Sequence, residues 1–132
     1  MVITNLTRHT EVAHRVRIAE SFWSRLKGLI GSLRLSAGEG LLLPNCMGIH
    51  MFGMNYPIDA IYLDRNHQVL LALESLRPNT FGPTRFNSCA VLELPVGTIH
   101  KSKTQIGDAL SMEGLTEPDQ SSKAAVPILR FF

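Results

Sequence analysis

The sequence predicts a mainly β, α+β domain: a compact antiparallel, barrel-like body with one principal helix near residues 21–31. Three observations carry this. Apolar and polar residues alternate at a period of two in several short stretches of residues 1–112. Clusters of Gly, Pro, Asn and Asp separate those stretches. One stretch only, beginning at Ser21, changes to the helical period.

Val2–Leu6 is a short β-prone run, and Thr7-Arg8-His9-Thr10 reads as a turn. From Glu11 to Ile18 the pattern alternates without a break. Val12, His14, Val16 and Ile18 fall on one face, and Glu11, Ala13, Arg15 and Arg17 on the other. This predicts a half-buried strand hairpinned to the first. His14, on the apolar side, reads as a core-edge histidine bonded to backbone. Phe22, Leu26, Leu29, Ile30 and Leu33 then recur at helical spacing, with Ser21 placed to cap the helix and Gly31 to end it. A helix of about ten residues is not stable alone and must cover a sheet face or plug a barrel end.

After the turn at Ser36–Gly40, Leu41–Leu43 is a short strand halted by Pro44. Ile58–Leu63 and Gln68–Leu76, joined by the polar Asp64–His67, form the clearest hairpin. Arg77–Asn87 contains Pro78, Gly82 and Pro83, is too broken for a strand, and has the length of a functional loop. Ser88–Leu94 is a strand ended by Pro95-Val96-Gly97. Thr98–Gln105 predicts a helical turn, and Ala109–Met112 a last strand. Glu113–Lys123 is polar and linker-like, and the residues after it are apolar. The organisation expected is one globular domain over 1–112, with 113–132 a linker and an apolar tail that packs back.

The chain has 132 residues, 45% of them hydrophobic and 18% charged. That length suits one core, and the charged share lies below the usual rough quarter, so an ordered apolar-rich domain is expected. No apolar run approaches the ~20 residues of a membrane helix. The N-terminus lacks a basic region followed by an apolar run, so the expected location is cytoplasmic, with Cys46 and Cys89 as reduced thiols. Residues 1–34 hold six Lys/Arg against two acids, a local +4, and the remainder seven against nine, a local −2, which sums to the net +2. This dipole contains no basic run dense enough for nucleic acid.

Asn45–Asp64 holds most of the unusual chemistry. Cys46, His50 and Met54 follow one another at four-residue intervals, and all three are soft or borderline metal ligands. On a helix they would share a face. On a strand Cys46 and His50 would lie ~13 Å apart, beyond the reach of one ion. Pro44, Gly48, Gly53 and Pro57 oppose a helix, so the segment is expected to be extended with breaks. A metal site is then the minor reading, and Met47, Met51 and Met54 fill irregular gaps. Cys46 with His50 is also the minimum for nucleophilic catalysis, although no local cysteine-hydrolase signature accompanies it, and a buried inert thiol is the plainer reading. Asp59 shares a strand face with Ile61 and Leu63, and Glu93 shares one with Cys89 and Val91. Two carboxylates among apolar residues act as an acid/base pair if they converge, or each collects backbone N–H groups and fixes a loop. No glycine-rich phosphate loop, dinucleotide fingerprint, nucleophile elbow or HExxH is present, so no cofactor is implied.

Three runs also carry a resemblance: KGLIGSLRLSAGEGLLLPNCMGIHMFGMNYPIDAIYLDRNHQVLLALESLRPN, then AVLELPVGTI, and last QIGDALSM. In order and spacing these resemble the bacterial and archaeal family called domain of unknown function 192, over about residues 27–112. The resemblance implies a compact, β-rich, barrel-like single domain with no established biochemical activity. It also implies partners such as secretion or pilus components, near which some members are encoded. The motif positions carried over are Gly28, Gly40, Met54, Pro57, Asp59, Glu93, Gly97, Gly107 and Asp108. Where an aromatic-rich core is common in the family, this chain has Met51-Phe52-Gly53-Met54.

The first functional reading is a non-enzymatic binding or accessory module. Its pocket would lie near residues 45–59 and 77–87, with His50, Met54, Asp59, Arg77, Phe81 and Arg85 facing a small anionic or carbohydrate-like ligand. One alternative is a small hydrolase using Asp59 with Glu93, or Cys46 with His50. A second is transition-metal handling through Cys46, His50 and Met54. The residues alone do not decide whether the protein is an enzyme.

Overall fold

The computed structural model describes residues 1–19 and 34–114. The helix expected near residues 21–31 and the tail from residue 115 onward lie outside them. The described residues are mainly β, in two sheets. The first has the order β2-β1-β8, from Thr10–Ala13, Val2–Asn5 and Leu110–Glu113. The second has the order β3-β4-β7-β5-β6, from Arg15–Ile18, Glu39–Pro44, Ala90–Leu94, Ile58–Leu63 and Val69–Leu76. One short helix, α1, spans Thr98–Ser102. Among the described residues the two sheets do not join into a closed barrel.

Local chemistry explains the firmest element, the β5–β6 hairpin. Asp64 Oδ1 accepts the N–H groups of Asn66 and Gln68 at 2.8 and 2.9 Å, and His67 takes a positive φ of 62°. A short acidic side chain thus closes the turn on its own backbone.

Two expectations are corrected here. The alternating run Glu11–Ile18 is not one strand. It breaks at His14, so that β2 pairs with β1 in one sheet and β3 starts the other. The N–H groups of His14 and Arg15 both donate to the Gly38 carbonyl, at 2.9 and 3.0 Å. That shared acceptor turns the chain from sheet to sheet. Ala13 is buried and His14 exposed, which reverses the faces the pattern predicts at this point. The second correction is that β3 and β4 pair in parallel, within an otherwise antiparallel arrangement.

The five-stranded sheet divides the core in two. Leu41, Leu43, Ile58, Ala60, Tyr62 and Val91 point to one face, and Leu42, Ile61, Leu63, Leu92 and Leu94 to the other. The second face packs on β1, β2, β8 and Ile99 of α1. Over the first face lie Cys46, Ile49, Met51, Met54 and Tyr56, from the segment that runs from the end of β4 to the start of β5. The three methionines expected as gap fillers are all buried. The three layers are therefore an irregular strap, the large sheet, and the small sheet with its helix.

Candidate functional site

The strap is held by backbone pairing to the loop between β6 and β7. The Met51 N–H donates to the Thr80 carbonyl, Asn79 N–H to Met51, Gly82 N–H to Ile49 and Arg85 N–H to Met47, each at 2.8 Å. His50 and Phe81 face each other as an antiparallel bridge. The two stretches singled out in the sequence thus lie side by side. Within 49–52 the strap alternates: Ile49 and Met51 are buried, while His50 and Phe52 lie on the outer side. This brings three rings together. Phe52 and Phe81 meet edge to face with centroids 4.8 Å apart, and His50 lies 5.4 Å from Phe52. Phe81 is 67% exposed and Phe52 44%. Arg77 and Arg85, both exposed, stand four residues before and after Phe81 on the same loop.

Beneath the rings the loop is anchored. The Tyr62 hydroxyl, rising from β5, donates to the Pro83 carbonyl at 2.7 Å. Burial pushes its pKa up to about 12, the nearby Cys46 adds to the rise, and the Ile49 backbone and Arg85 oppose it. Ser88 Oγ donates to the Cys46 carbonyl at 2.8 Å, and the Cys46 thiol, itself buried, donates to the Gly48 carbonyl at 3.1 Å. Neither Cys46 nor Cys89 is in a disulfide. Met54 is buried below the rings, in the core of the first face.

Asp59 is not part of this surface. It lies on the opposite face of the sheet, fully buried. Its Oδ2 accepts the N–H groups of Gly97 and Ile99 at 3.1 and 3.0 Å, and its Oδ1 that of Ser75 at 3.0 Å. A side chain from β5 thereby takes up N–H groups at the start of α1, where Gly97 offers no cap of its own. Glu93 is also fully buried, but register separates the two carboxylates. Glu93 pairs with Ala60 and Asp59 with Leu94, so neighbouring positions place them on opposite faces. The alternative of an Asp59–Glu93 acid/base pair therefore lacks a shared face, and Asp59 instead collects backbone N–H groups, the other role open to it. Among the described residues no three His, Cys, Asp or Glu side chains group as a metal site.

Two residue sets escaped the sequence reading. Phe52 was legible as the outward partner of His50 in the 49–52 alternation. The other set lines a cleft of about 830 Å³ between β2, the turn at Gly38 and α1, away from the ring cluster. A smaller cleft of about 230 Å³ adjoins it at Pro95 and Val96, walled by Arg34 and Tyr56. There the Arg34 guanidinium sits 5.3 Å from the Tyr56 ring centroid. No helix among the described residues is long and apolar enough to cross a membrane.

A family model described as an uncharacterised ACR, domain of unknown function 192, matches residues 3–112. A UPF0127 protein of Thermococcus sibiricus is 31% identical over 116 residues, covering 85% of this chain and 75% of that one. A UPF0127 protein of Thermococcus kodakarensis is 27% identical over 131 residues, covering 96% and 80%. The crystal structure of a protein of unknown function from Novosphingobium aromaticivorans superposes with a TM-score of 0.69 at 21% identity, covering 84% of this chain and 82% of that one. That likeness is one of fold.

Proposed function

The chain belongs to the domain of unknown function 192 family, and we propose that it is a non-enzymatic binding module whose recognition face is the strap with its neighbouring loop. The observation that carries this reading is the exposed Phe52–Phe81 step beside His50. Large apolar side chains held rigidly at a surface mark an interaction site. Here the His50–Phe81 backbone bridge holds the two segments that carry the rings side by side. An aromatic face stacks on the apolar face of a sugar ring, and a guanidinium takes a carboxylate through two parallel hydrogen bonds. With the exposed Arg77 and Arg85 on the same loop as Phe81, the ligand class this surface favours is an acidic saccharide. The hydrolase alternative has less support: Asp59 and Glu93 are on opposite faces, and the Cys46 thiol is buried.

The test is an NMR titration of ¹⁵N-labelled protein with trigalacturonate, with maltotriose as the neutral control. Trigalacturonate should shift the amides of His50, Phe52, Phe81 and Gly82. Phe81→Ala should weaken binding roughly tenfold or more, as loss of one stacked ring does. Because Phe81 is exposed, its stability should stay within ~0.5 kcal/mol of wild type. Equal binding by wild type and Phe81→Ala, or no shift with trigalacturonate, would refute the reading.

A further inference from the structure

The larger cleft is lined by none of the ring residues of the strap and its neighbouring loop. Its floor and walls include Val12, Pro95 and Val96. At about 830 Å³ it falls within the ~300–1,000 Å³ of small-molecule sites. One wall carries Glu11 and His14, joined by a 2.9 Å bond between Glu11 Oε1 and His14 Nδ1. An ionised carboxylate only accepts, so Nδ1 carries the proton in this bond, and in a neutral imidazole the other ring nitrogen, Nε2, is then an acceptor. The ring is also seated against Gly38. A Cβ on Gly38 would come within 2.7 Å of both ring nitrogens, and Gly38 has φ +84°. A side chain there would displace the imidazole, and the backbone angle disfavours one in any case.

The other wall is α1, with Lys101 and Thr98 at the cleft. Its position is fixed by Asp59, which holds the N–H groups of Gly97 and Ile99. Glu11 pairs with His14 and not with Lys101 among the described residues. The cleft therefore has an acceptor pole, the second Glu11 oxygen and His14 Nε2, and a donor pole, the Lys101 ammonium and the Thr98 hydroxyl. The rest of the lining is Val12, Ala37, Pro95, Val96 and two glycines, with Thr10 and Ser102, whose hydroxyls are hydrogen-bonded within the fold. The charges of Glu11 and Lys101 balance, so a ligand carrying one net charge leaves one pole unanswered.

We propose that this cleft binds a small zwitterion of the apolar amino-acid or dipeptide class. The ligand ammonium lies against Glu11 and His14, its carboxylate against Lys101, and its side chain on Val12 and Val96. No bond is made or broken. The strap and the cleft are independent, so failure at one leaves the other standing.

The experiment is a titration of ¹⁵N-labelled protein with the dipeptide Leu-Leu. N-acetyl-Leu-Leu, which lacks the ammonium, and Leu-Leu amide, which lacks the carboxylate, serve as controls. Leu-Leu should shift the amides of Gly38, Gly97, Thr98 and Lys101 and leave those of Phe52 and Phe81 in place. Each control should bind roughly tenfold more weakly, the loss of one charged contact of about 1.4 kcal/mol. Lys101→Gln should lose the preference for Leu-Leu over its amide, and Glu11→Gln the preference over the N-acetyl form. Both positions are exposed, so both variants should fold. Equal binding of the three peptides, shifts confined to the strap, or no shift at millimolar Leu-Leu would overturn the proposal.

Discussion

Asp59 gives the sharpest test of how this fold is held. Its carboxylate accepts three backbone N–H groups, from Ser75, Gly97 and Ile99, while fully buried. Asp59→Ala leaves all three donors without that acceptor. At roughly 1.5–2 kcal/mol for each hydrogen bond to a charged group, the loss should be about 4–6 kcal/mol. With ~4 °C per kcal/mol for a domain of this size, the melting temperature should fall by roughly 16–24 °C. Asp59→Asn separates the contributions. Its one remaining oxygen can stay on Gly97 and Ile99, which leaves Ser75 at the sheet edge to find water, so about 1.5–3 kcal/mol should be lost. Urea denaturation followed by circular dichroism gives both differences. Hydrogen exchange locates them: the amides of Gly97 and Ile99 should lose protection in the alanine variant and keep most of it in the asparagine variant. An alanine variant within ~1 kcal/mol of wild type, with those amides still protected, would show that α1 is held by its contact with the core and not by Asp59.

Two further variants probe separate parts of the structure. Burial alone would raise the Asp108 pKa. Hydrogen bonds from Asn5, Arg8 and the Gln105 N–H, with the charge of Arg8, outweigh it and hold the carboxyl below its ordinary 3.8. A depressed folded-state pKa contributes stability that is present above the unfolded value and lost as pH falls through the folded one. Urea midpoints between pH 5 and pH 2.5 should therefore drop less in Asp108→Asn than in wild type, and parallel curves would remove the assignment. Gly82 is a steric test, since a Cβ there would lie 2.7 Å from the Tyr62 hydroxyl and 3.1 Å from Ile49 Cγ1. Tyr62 is fully buried and cannot swing aside, so Gly82→Ala should cost about 1–3 kcal/mol in urea denaturation and disturb the Tyr62–Pro83 bond. An unchanged midpoint would mean that the loop yields without loss.

What the sequence makes legible follows the range of the interactions. The β5–β6 hairpin is readable because its turn is closed by Asp64 on residues two and four places on. The break at His14 is not. Alternation continues through it, and the cause is the carbonyl of Gly38, more than twenty positions away. The parallel pairing of β3 with β4 has the same origin: residues 15–18 meet 39–42 only once the chain has returned to them. Local pattern carries no record of such a partner.

The two carboxylates show the same limit applied to a site. Each strand taken alone puts its acid among apolar neighbours, and in both cases the structure agrees, with Asp59 beside Ile61 and Leu63 and Glu93 beside Val91. Whether they meet depends on one register, in which Ala60 stands opposite Glu93. A slip of one residue would have placed both carboxylates on one face. That register sends Asp59 toward the start of α1, where it fixes Gly97 and with it a wall of the larger cleft. The Pro57–Asp64 segment therefore bears on function by positioning, while the ring-bearing surface comes from the strap before it. The Asp59 variants should accordingly disturb the Gly97–Lys101 wall and leave the His50–Phe81 bridge in place, which the same amide spectra record.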